Sequence, residues 1–146
     1  MTYRLKTFRV QFIAEPAEFP AGSPCRASAD VERLARAIYQ TLDADKEHFL
    51  LLAMNNKNRL NGFKVIDGKP DCIARASSRS MALGASPLRC CRHICSQPPK
   101  RRPCSQEDQE ITRRLKETGE MLGIRVLDHV VLGDGRFFSF SDRGLI

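Results

Sequence analysis

The residues whose types could support metal chemistry lie close together in the second half of the chain. Five of the six cysteines fall between positions 72 and 104, and His93 stands among them in the run Cys90-Cys91-Arg92-His93-Ile94-Cys95. Thiolate sulfur and imidazole nitrogen are ligands that Zn²⁺ prefers. The run lacks the paired Cys-x-x-Cys spacing of structural zinc sites, and Cys104 does not supply it. The spacing therefore argues against a zinc site among these cysteines.

The positive charge of the chain is concentrated in the same segment. The net charge is +7, and residues 68–104 hold eight Lys or Arg against one acid, Asp71. The rest of the chain is therefore neutral. The run Lys100-Arg101-Arg102 could contact nucleic-acid phosphates, but it has no neighbouring aromatic platform and no helix to present it. A solvated loop is the favoured interpretation, and nucleic acid is a weakly supported partner.

Length and hydropathy limit the class of protein. A chain of 146 residues suits one compact domain, which we assign to residues 1–146. No apolar run approaches the roughly eighteen residues of a membrane span, and the first residues do not resemble a signal peptide. The expectation is a cytoplasmic protein without a membrane partner.

The first half of the chain has the periodicity of ordinary globular structure. Phe8, Val10 and Phe12 alternate with polar residues, as in a half-buried strand. Ser28 is the expected N-cap of a helix, and the run 49–54 predicts a strand buried on both faces, joined by a turn at 55–58 to a strand over 60–66. The apolar face of the helix is predicted to consist of Val31, Leu34, Ala35, Ile38, Tyr39 and Leu42.

A second helix and a second hairpin are predicted beyond the basic segment. Ser105 is expected to begin the helix, and Gly123 to end it in the left-handed conformation. Strands are predicted over 124–132 and 136–140, joined by a turn at 133–135. The helix face is predicted to contain Ile111, Leu115, Thr118 and Leu122. Within 68–104, in contrast, no apolar run is long enough to predict a strand.

Several runs together resemble the RadC-like branch of the JAB/MPN metalloprotease family. The resemblance covers roughly residues 45–66 and 105–143. It rests on Glu47-His48-Phe49, Asn58-Arg59-Leu60, Ser105-Gln106-Glu107-Asp108, Leu122-Gly123-Ile124-Arg125-Val126-Leu127-Asp128-His129 and Gly133-Asp134-Gly135-Arg136-Phe137-Phe138-Ser139-Phe140. It implies an α/β (α+β) fold of the cytidine-deaminase-like kind, with a mixed sheet flanked by helices and, in this chain, a disrupted central segment.

The resemblance also implies an activity and a set of site residues. The family is a zinc-dependent peptidase or isopeptidase whose motif is an upstream Glu, then His-x-His-Pro-x-Gly, then Pro-Ser-x-x-Asp. Zn²⁺ held by two imidazoles and a carboxylate activates a water molecule for attack on a peptide or isopeptide carbonyl. By this resemblance Glu47 matches the acid/base, Ser105 the hydroxyl that stabilises the oxyanion, and Asp108 the carboxylate ligand of the metal.

The two histidine ligands of the family have no counterpart here. The chain contains three histidines, His48, His93 and His129, and no His-x-His. A single aspartate does not hold Zn²⁺ against water, since such sites take three protein ligands. We therefore expect that this chain does not bind the family's Zn²⁺ and does not act by the family mechanism.

A frameshift would explain the missing loop. Codons for Cys95 to Cys104 can be chosen so that a one-nucleotide shift spells Val-His-Asn-His-Pro-Ser-Gly-Asp-Pro-Ala, and those for Asp71 to Ser78 can yield the family-like Thr-Ala-Ser-Leu-Val-His-Pro. We hypothesise a frameshift from about Gly68 to Cys104. This segment is then atypical, and we expect it to be disordered.

Simpler interpretations compete with the catalytic one. Ser105 and Asp108 also form a Ser-x-x-Asp helix start of the capping-box kind, and Glu47 suits an exposed loop before an apolar strand. Four functional hypotheses remain: a zinc metallopeptidase whose loop is misreported, a non-catalytic MPN-fold interaction module, a DNA-repair-associated nucleic-acid-binding protein, and the nonfunctional product of a pseudogene.

Overall fold

The computed structural model describes residues 24–42, 48–67, 90–97 and 105–146. The helices in these ranges are α1 (Ser28–Tyr39) and α2 (Gln106–Leu122). The strands are β1 (His48–Met54), β2 (Leu60–Asp67), β3 (Cys90–Gln97), β4 (Arg125–Val126), β5 (His129–Leu132) and β6 (Phe137–Ser139). The predicted strand at residues 8–12 lies outside the described residues.

The strands form one mixed sheet in the order β2-β1-β3-β5-β6, with β4 paired to β3 beside β5. The β1–β2, β1–β3 and β5–β6 pairs are antiparallel, whereas β3 pairs with β4 and β5 in parallel. Both predicted hairpins are confirmed. The expected fold class, a mixed sheet flanked by helices, is confirmed as well.

Strand β3 overturns one expectation for the basic segment. Its backbone pairs with β1 on one side and with β4 and β5 on the other, so it lies inside the sheet rather than in a disordered loop. The prediction that 68–104 contains no strand was wrong for Cys90–Gln97. The reason is that neighbouring strands satisfy its backbone hydrogen bonds, and such long-range pairing overrides a weak local pattern.

Strand β1 supplies side chains to two separate cores, which explains its continuous apolar run. All seven of its residues are buried. Leu50, Leu52 and Met54 pack with α1 and with β5, while Phe49 and Leu51 pack with α2. Successive side chains of a strand point to opposite faces, so the two helices cover opposite faces of the sheet.

The start of α1 differs from the prediction. Ala27, and not Ser28, is the N-cap residue. The carboxylate of Asp30 accepts hydrogen bonds from the backbone N–H groups of Arg26 (2.9 Å) and Ala27 (3.1 Å), and these bonds lower the pKa of Asp30. Ser28 instead donates its hydroxyl to Asp142, at 2.5 Å. An acidic side chain at the third helical position therefore satisfies the helix start in place of a capping serine.

Both ends of α2 are where the sequence predicts them. Ser105 is the N-cap, and Gly123 ends the helix with φ of 68°, a left-handed conformation that suits glycine. The buried stripe is rotated from the predicted face. It consists of Ile111, Thr112, Leu115 and Gly119. Leu122 is 39% exposed because it lies at the helix end, away from this stripe.

The predicted strand over 124–132 is interrupted. Its two parts, β4 and β5, pair with β3 in the same parallel register, and Leu127 and Asp128 lie between them. Gly135 has φ of 64° in the turn before β6. A turn at this point needs a residue that tolerates positive φ, as predicted.

No helix in the described part of the chain is long and apolar enough to cross a membrane. The division of the chain into a single domain remains a prediction.

Truncation of the core on the α2 side should be costly. Leu115 is fully buried, so Leu115→Ala is expected to lower the free energy of unfolding by about 2–5 kcal/mol. The matched control is Met121→Ala on the same helix, where the side chain is 88% exposed and the change should stay within about 0.5 kcal/mol. Urea unfolding followed by circular dichroism measures both; equal effects would contradict this placement of α2.

Candidate functional site

Two of the three predicted site residues, Ser105 and Asp108, meet at the first turn of α2. The backbone N–H and the hydroxyl of Ser105 both donate to Oδ2 of Asp108, at 2.8 and 2.7 Å. The backbone N–H of Asp108 donates in return to the Ser105 hydroxyl oxygen, at 3.1 Å. This reciprocal pair is a capping box, and it satisfies backbone donors that the helix itself leaves unpaired.

The next turn of α2 ties this cap to the sheet through a threonine and a histidine. The hydroxyl of Thr112 lies 2.6 Å from the backbone oxygen of Asp108 and 2.6 Å from Nδ1 of His129. A carbonyl oxygen only accepts, so the single hydroxyl proton of Thr112 goes to Asp108. His129 must then donate through Nδ1–H, which makes Nε2 the unprotonated nitrogen of a neutral ring.

His129 is fully buried at the start of β5. Its ring stacks on Phe140 at a centroid distance of 4.9 Å and meets the edge of Phe49 at 6.0 Å. Burial among these rings lowers the pKa of His129 to about 4, with a smaller opposing effect from Asp108. Its Nε2 atom has no hydrogen-bond partner among the described residues.

The interruption between β4 and β5 is occupied by a second buried polar group, Asp128. Its carboxylate accepts hydrogen bonds from the Ser139 hydroxyl (2.7 Å) and the Ser141 backbone N–H (2.9 Å). Burial raises the pKa of Asp128. The Ser139 oxygen in turn accepts from the backbone N–H of Asp142, whose side chain holds Ser28 of α1. This network connects the C-terminal turn to α1.

Glu47, the third predicted site residue, lies outside the described residues. The residue that follows it, His48, begins β1 and is paired with Gln97, the last residue of β3. Phe49 then contacts His129, which is bonded to Thr112 of α2. Three parts of the chain therefore lie close together at one end of β1: the start of β1, the end of β3 and the first turns of α2.

The roles of Thr112, His129 and Asp128 were not predicted from the sequence. Only the family landmarks drew attention to Asp128 and His129, and Thr112 was not part of the predicted helix face. The spacing of Asp108 and Thr112, four residues apart on a helix, was an available signal because a threonine hydroxyl often bonds the carbonyl one turn earlier. No sequence pattern indicated that Thr112 also bonds His129, which lies 17 residues further along the chain.

The model of the RadC-like JAB domain matches residues 25–145. The chain belongs to the RadC-like JAB domain family. Its similarity extends to curated relatives: a UPF0758 protein of Pelobacter propionicus is 37% identical over 117 residues, which cover 74% of this chain and 48% of the relative.

Two further members of the family show the same pattern. A UPF0758 protein of Geobacter sulfurreducens is 38% identical over 116 residues, covering 74% of this chain and 48% of that protein. One from Rubrobacter xylanophilus is 34% identical over 137 residues, covering 86% of this chain and 55% of that protein. The chain spans about half the length of the curated relatives it matches.

The described residues of this RadC-like domain do not fit the family's Zn²⁺. They contain no cluster of three His, Cys, Asp or Glu side chains that could hold a metal ion. Oδ2 of Asp108 is occupied by Ser105, and the Nδ1 atom of His129 is bonded to Thr112. A catalytic zinc site takes three protein ligands, and one capping carboxylate beside one buried imidazole falls short of that number.

The cap at Ser105 should contribute measurably to stability. Ser105→Ala removes the acceptor for the Asp108 N–H, and a loss of about 1 kcal/mol in the free energy of unfolding is expected. Ser105→Thr retains a hydroxyl and serves as the matched control, with a much smaller loss. Chemical denaturation distinguishes them, and equal losses would argue against a capping role.

Burial of neutral His129 predicts that acid destabilises the fold. Because the pKa of His129 falls from 6.5 to about 4 on folding, the unfolded chain binds more protons between these values. The contribution of neutral His129 to the free energy of unfolding is therefore complete above pH 6.5, and it declines as the pH falls toward about 4. His129→Asn offers Thr112 a donor but does not titrate, so its stability should depend less on pH in this window. Urea unfolding of both proteins over this range tests the claim; parallel pH profiles would contradict it.

Proposed function

We propose that this chain is a non-catalytic member of the RadC-like JAB family, in which the Ser-x-x-Asp motif of a zinc metallopeptidase survives as a helix cap. The observation that carries the proposal is the engagement of Asp108 Oδ2 by two Ser105 donors, in a sequence without a His-x-His motif. A catalytic Zn²⁺ is held by three protein ligands, with one position open for water. One capping carboxylate does not replace that set.

In a domain of this family that holds no Zn²⁺, the group that would activate a water molecule for hydrolysis is missing. Two cores pack on opposite faces of the sheet. A hydrogen bond joins α2 to β5, and another joins α1 to Asp142 in the C-terminal turn. These contacts support a domain that holds its shape in the absence of a metal. On this proposal the chain is an interaction module, and cleavage of peptide or isopeptide bonds is not its activity.

One observation favours a second candidate, a zinc metallopeptidase in which a frameshift has replaced the metal loop. Strand β3 is formed, and its last residue, Gln97, is paired with His48, the residue after Glu47. The family's metal loop would begin at the end of this strand. The backbone that would carry the loop is therefore in register with the start of β1, so restoring the loop sequence is a direct test.

Zinc content, measured by mass spectrometry on purified protein, separates the two candidates. The test compares the chain as it stands, a variant with residues 95–104 replaced by Val-His-Asn-His-Pro-Ser-Gly-Asp-Pro-Ala, and that variant carrying Asp108→Asn. We expect less than about 0.1 zinc per chain as it stands, because two ligands are missing. The second candidate predicts about one zinc in the restored variant, lost on Asp108→Asn because the carboxylate ligand is removed.

Each candidate is rejected by a different zinc result. Stoichiometric zinc in the chain as it stands would overturn the non-catalytic proposal, and His93→Ala would then show whether the cysteine-rich strand holds the metal. A restored variant that folds, by circular dichroism, but takes up no zinc would reject the second candidate.

A further inference from the structure

An open groove runs between the solvent-facing flank of α2 and the segment that follows β6. Its volume is about 440 Å³, and its walls include Gln106, Arg113 and Lys116 from the helix and Phe140 and Leu145 from the C-terminal segment. Pockets that bind small ligands have volumes of roughly 300–1,000 Å³. The groove includes neither Ser105 nor Asp108, so binding there does not depend on whether the chain holds a metal.

The apolar part of the groove consists of one buried side chain, Phe140, and one exposed side chain, Leu145. Phe140 is 1% exposed and is held between the His129 ring (4.9 Å) and the Phe138 ring (5.2 Å). The backbone N–H of Leu145 donates to the Phe140 carbonyl at 2.9 Å, which fixes the wall on that side. Leu145 is 53% exposed and offers its side chain to the groove. An aliphatic group placed here would bury apolar surface against the exposed side chain of Leu145.

The charges along the helix flank leave one cation available. The carboxylate of Glu110 is bonded by Arg113 (2.8 Å) and Arg114 (2.9 Å), which lower the pKa of Glu110 to about 2. Arg113 also pairs with Glu117 at 2.5 Å. These four charges are paired with one another. Lys116 lies in the groove, and none of the ion pairs found between described residues includes it.

We propose that this groove binds an extended peptide segment in which an aliphatic side chain lies next to an acidic one. The aliphatic group would contact Leu145, and the carboxylate would pair with the ammonium of Lys116. The side-chain amide of Gln106 offers both a donor and an acceptor to the peptide backbone. Hydrogen bonds to a charged group are the stronger kind, so the Lys116 contact sets the preference for an acidic peptide.

The same observations disfavour a nucleic acid in the groove. Single strands bind through exposed aromatic faces and several phosphate contacts. Phe140 presents almost no surface, because His129 covers one face of its ring. Arg113 is engaged by two carboxylates, which leaves Lys116 as the cation of the groove that a phosphate could meet without displacing an ion pair with a described residue.

The test is fluorescence anisotropy with the full chain and the fluorescein-labelled peptide Gly-Asp-Leu-Glu-Gly. Saturable binding is expected, with the affinity about tenfold lower for Lys116→Glu and for Leu145→Ser. Lys57→Glu is the matched control, since Lys57 is exposed in the turn between β1 and β2, and it should leave the affinity unchanged. The peptide Gly-Lys-Leu-Lys-Gly should not bind.

Thermal unfolding first establishes that each variant is folded. If Lys116→Glu is not folded, Lys116→Gln takes its place. The proposal is overturned if the acidic peptide shows no saturable binding up to about 1 mM, or if Lys116→Glu and Lys57→Glu bind it equally. It is also overturned if a labelled oligothymidylate binds more tightly than the peptide and with the same sensitivity to Lys116→Glu. Sedimentation showing a dimer that Leu145→Ser dissociates would assign the groove to a second copy of the chain instead.

Discussion

Burial of β1 on both faces is the constraint on which the rest of the fold depends. Its alternate side chains complete two cores, one under α1 and one under α2, so neither helix can move without exposing apolar surface on the sheet. The burial also demands that both backbone edges of β1 be paired, since unpaired N–H and C=O groups inside a domain are costly. Strands β2 and β3 satisfy these edges. The pairing with β1 explains why β3, which contains three cysteines and one arginine, forms a strand of the sheet.

The first turn of α2 shows a Ser-x-x-Asp pair in a structural role. A capping box needs a hydroxyl and a carboxylate three residues apart, which is also the spacing of the family's oxyanion-stabilising serine and metal-binding aspartate. In this arrangement the carboxylate of Asp108 is not an unpaired charge. Thr112 and His129 then fix this turn against β5, with a neutral buried ring that contributes a donor without the cost of burying a charge.

How far sequence predicts this structure depends on whether the controlling interaction is local. The strand over 49–54, both hairpins and the ends of α2 follow from apolar runs, turn residues and Gly123, all of which act over a few residues. The start of α1 was misplaced by one residue because Asp30 caps it from inside the helix. Strand β3 and the Thr112–His129 bond depend on partners far away in sequence, so periodicity carried no signal for them. Of the site residues, Ser105 and Asp108 meet as the motif suggests, and their catalytic roles stay predictions.

In the proposed function, Asp108 belongs to a helix cap and not to a metal centre. Hydrogen–deuterium exchange of the purified chain, with and without excess Zn²⁺, addresses it at the level of individual amides. The account predicts that the amides of Asp108 and Gln109, in the first turn of α2, exchange at the same rate in both conditions, because the Ser105 cap already protects them. Zinc-dependent protection confined to this turn and to the end of β3 would contradict it, since that pattern requires a metal bridging the two elements.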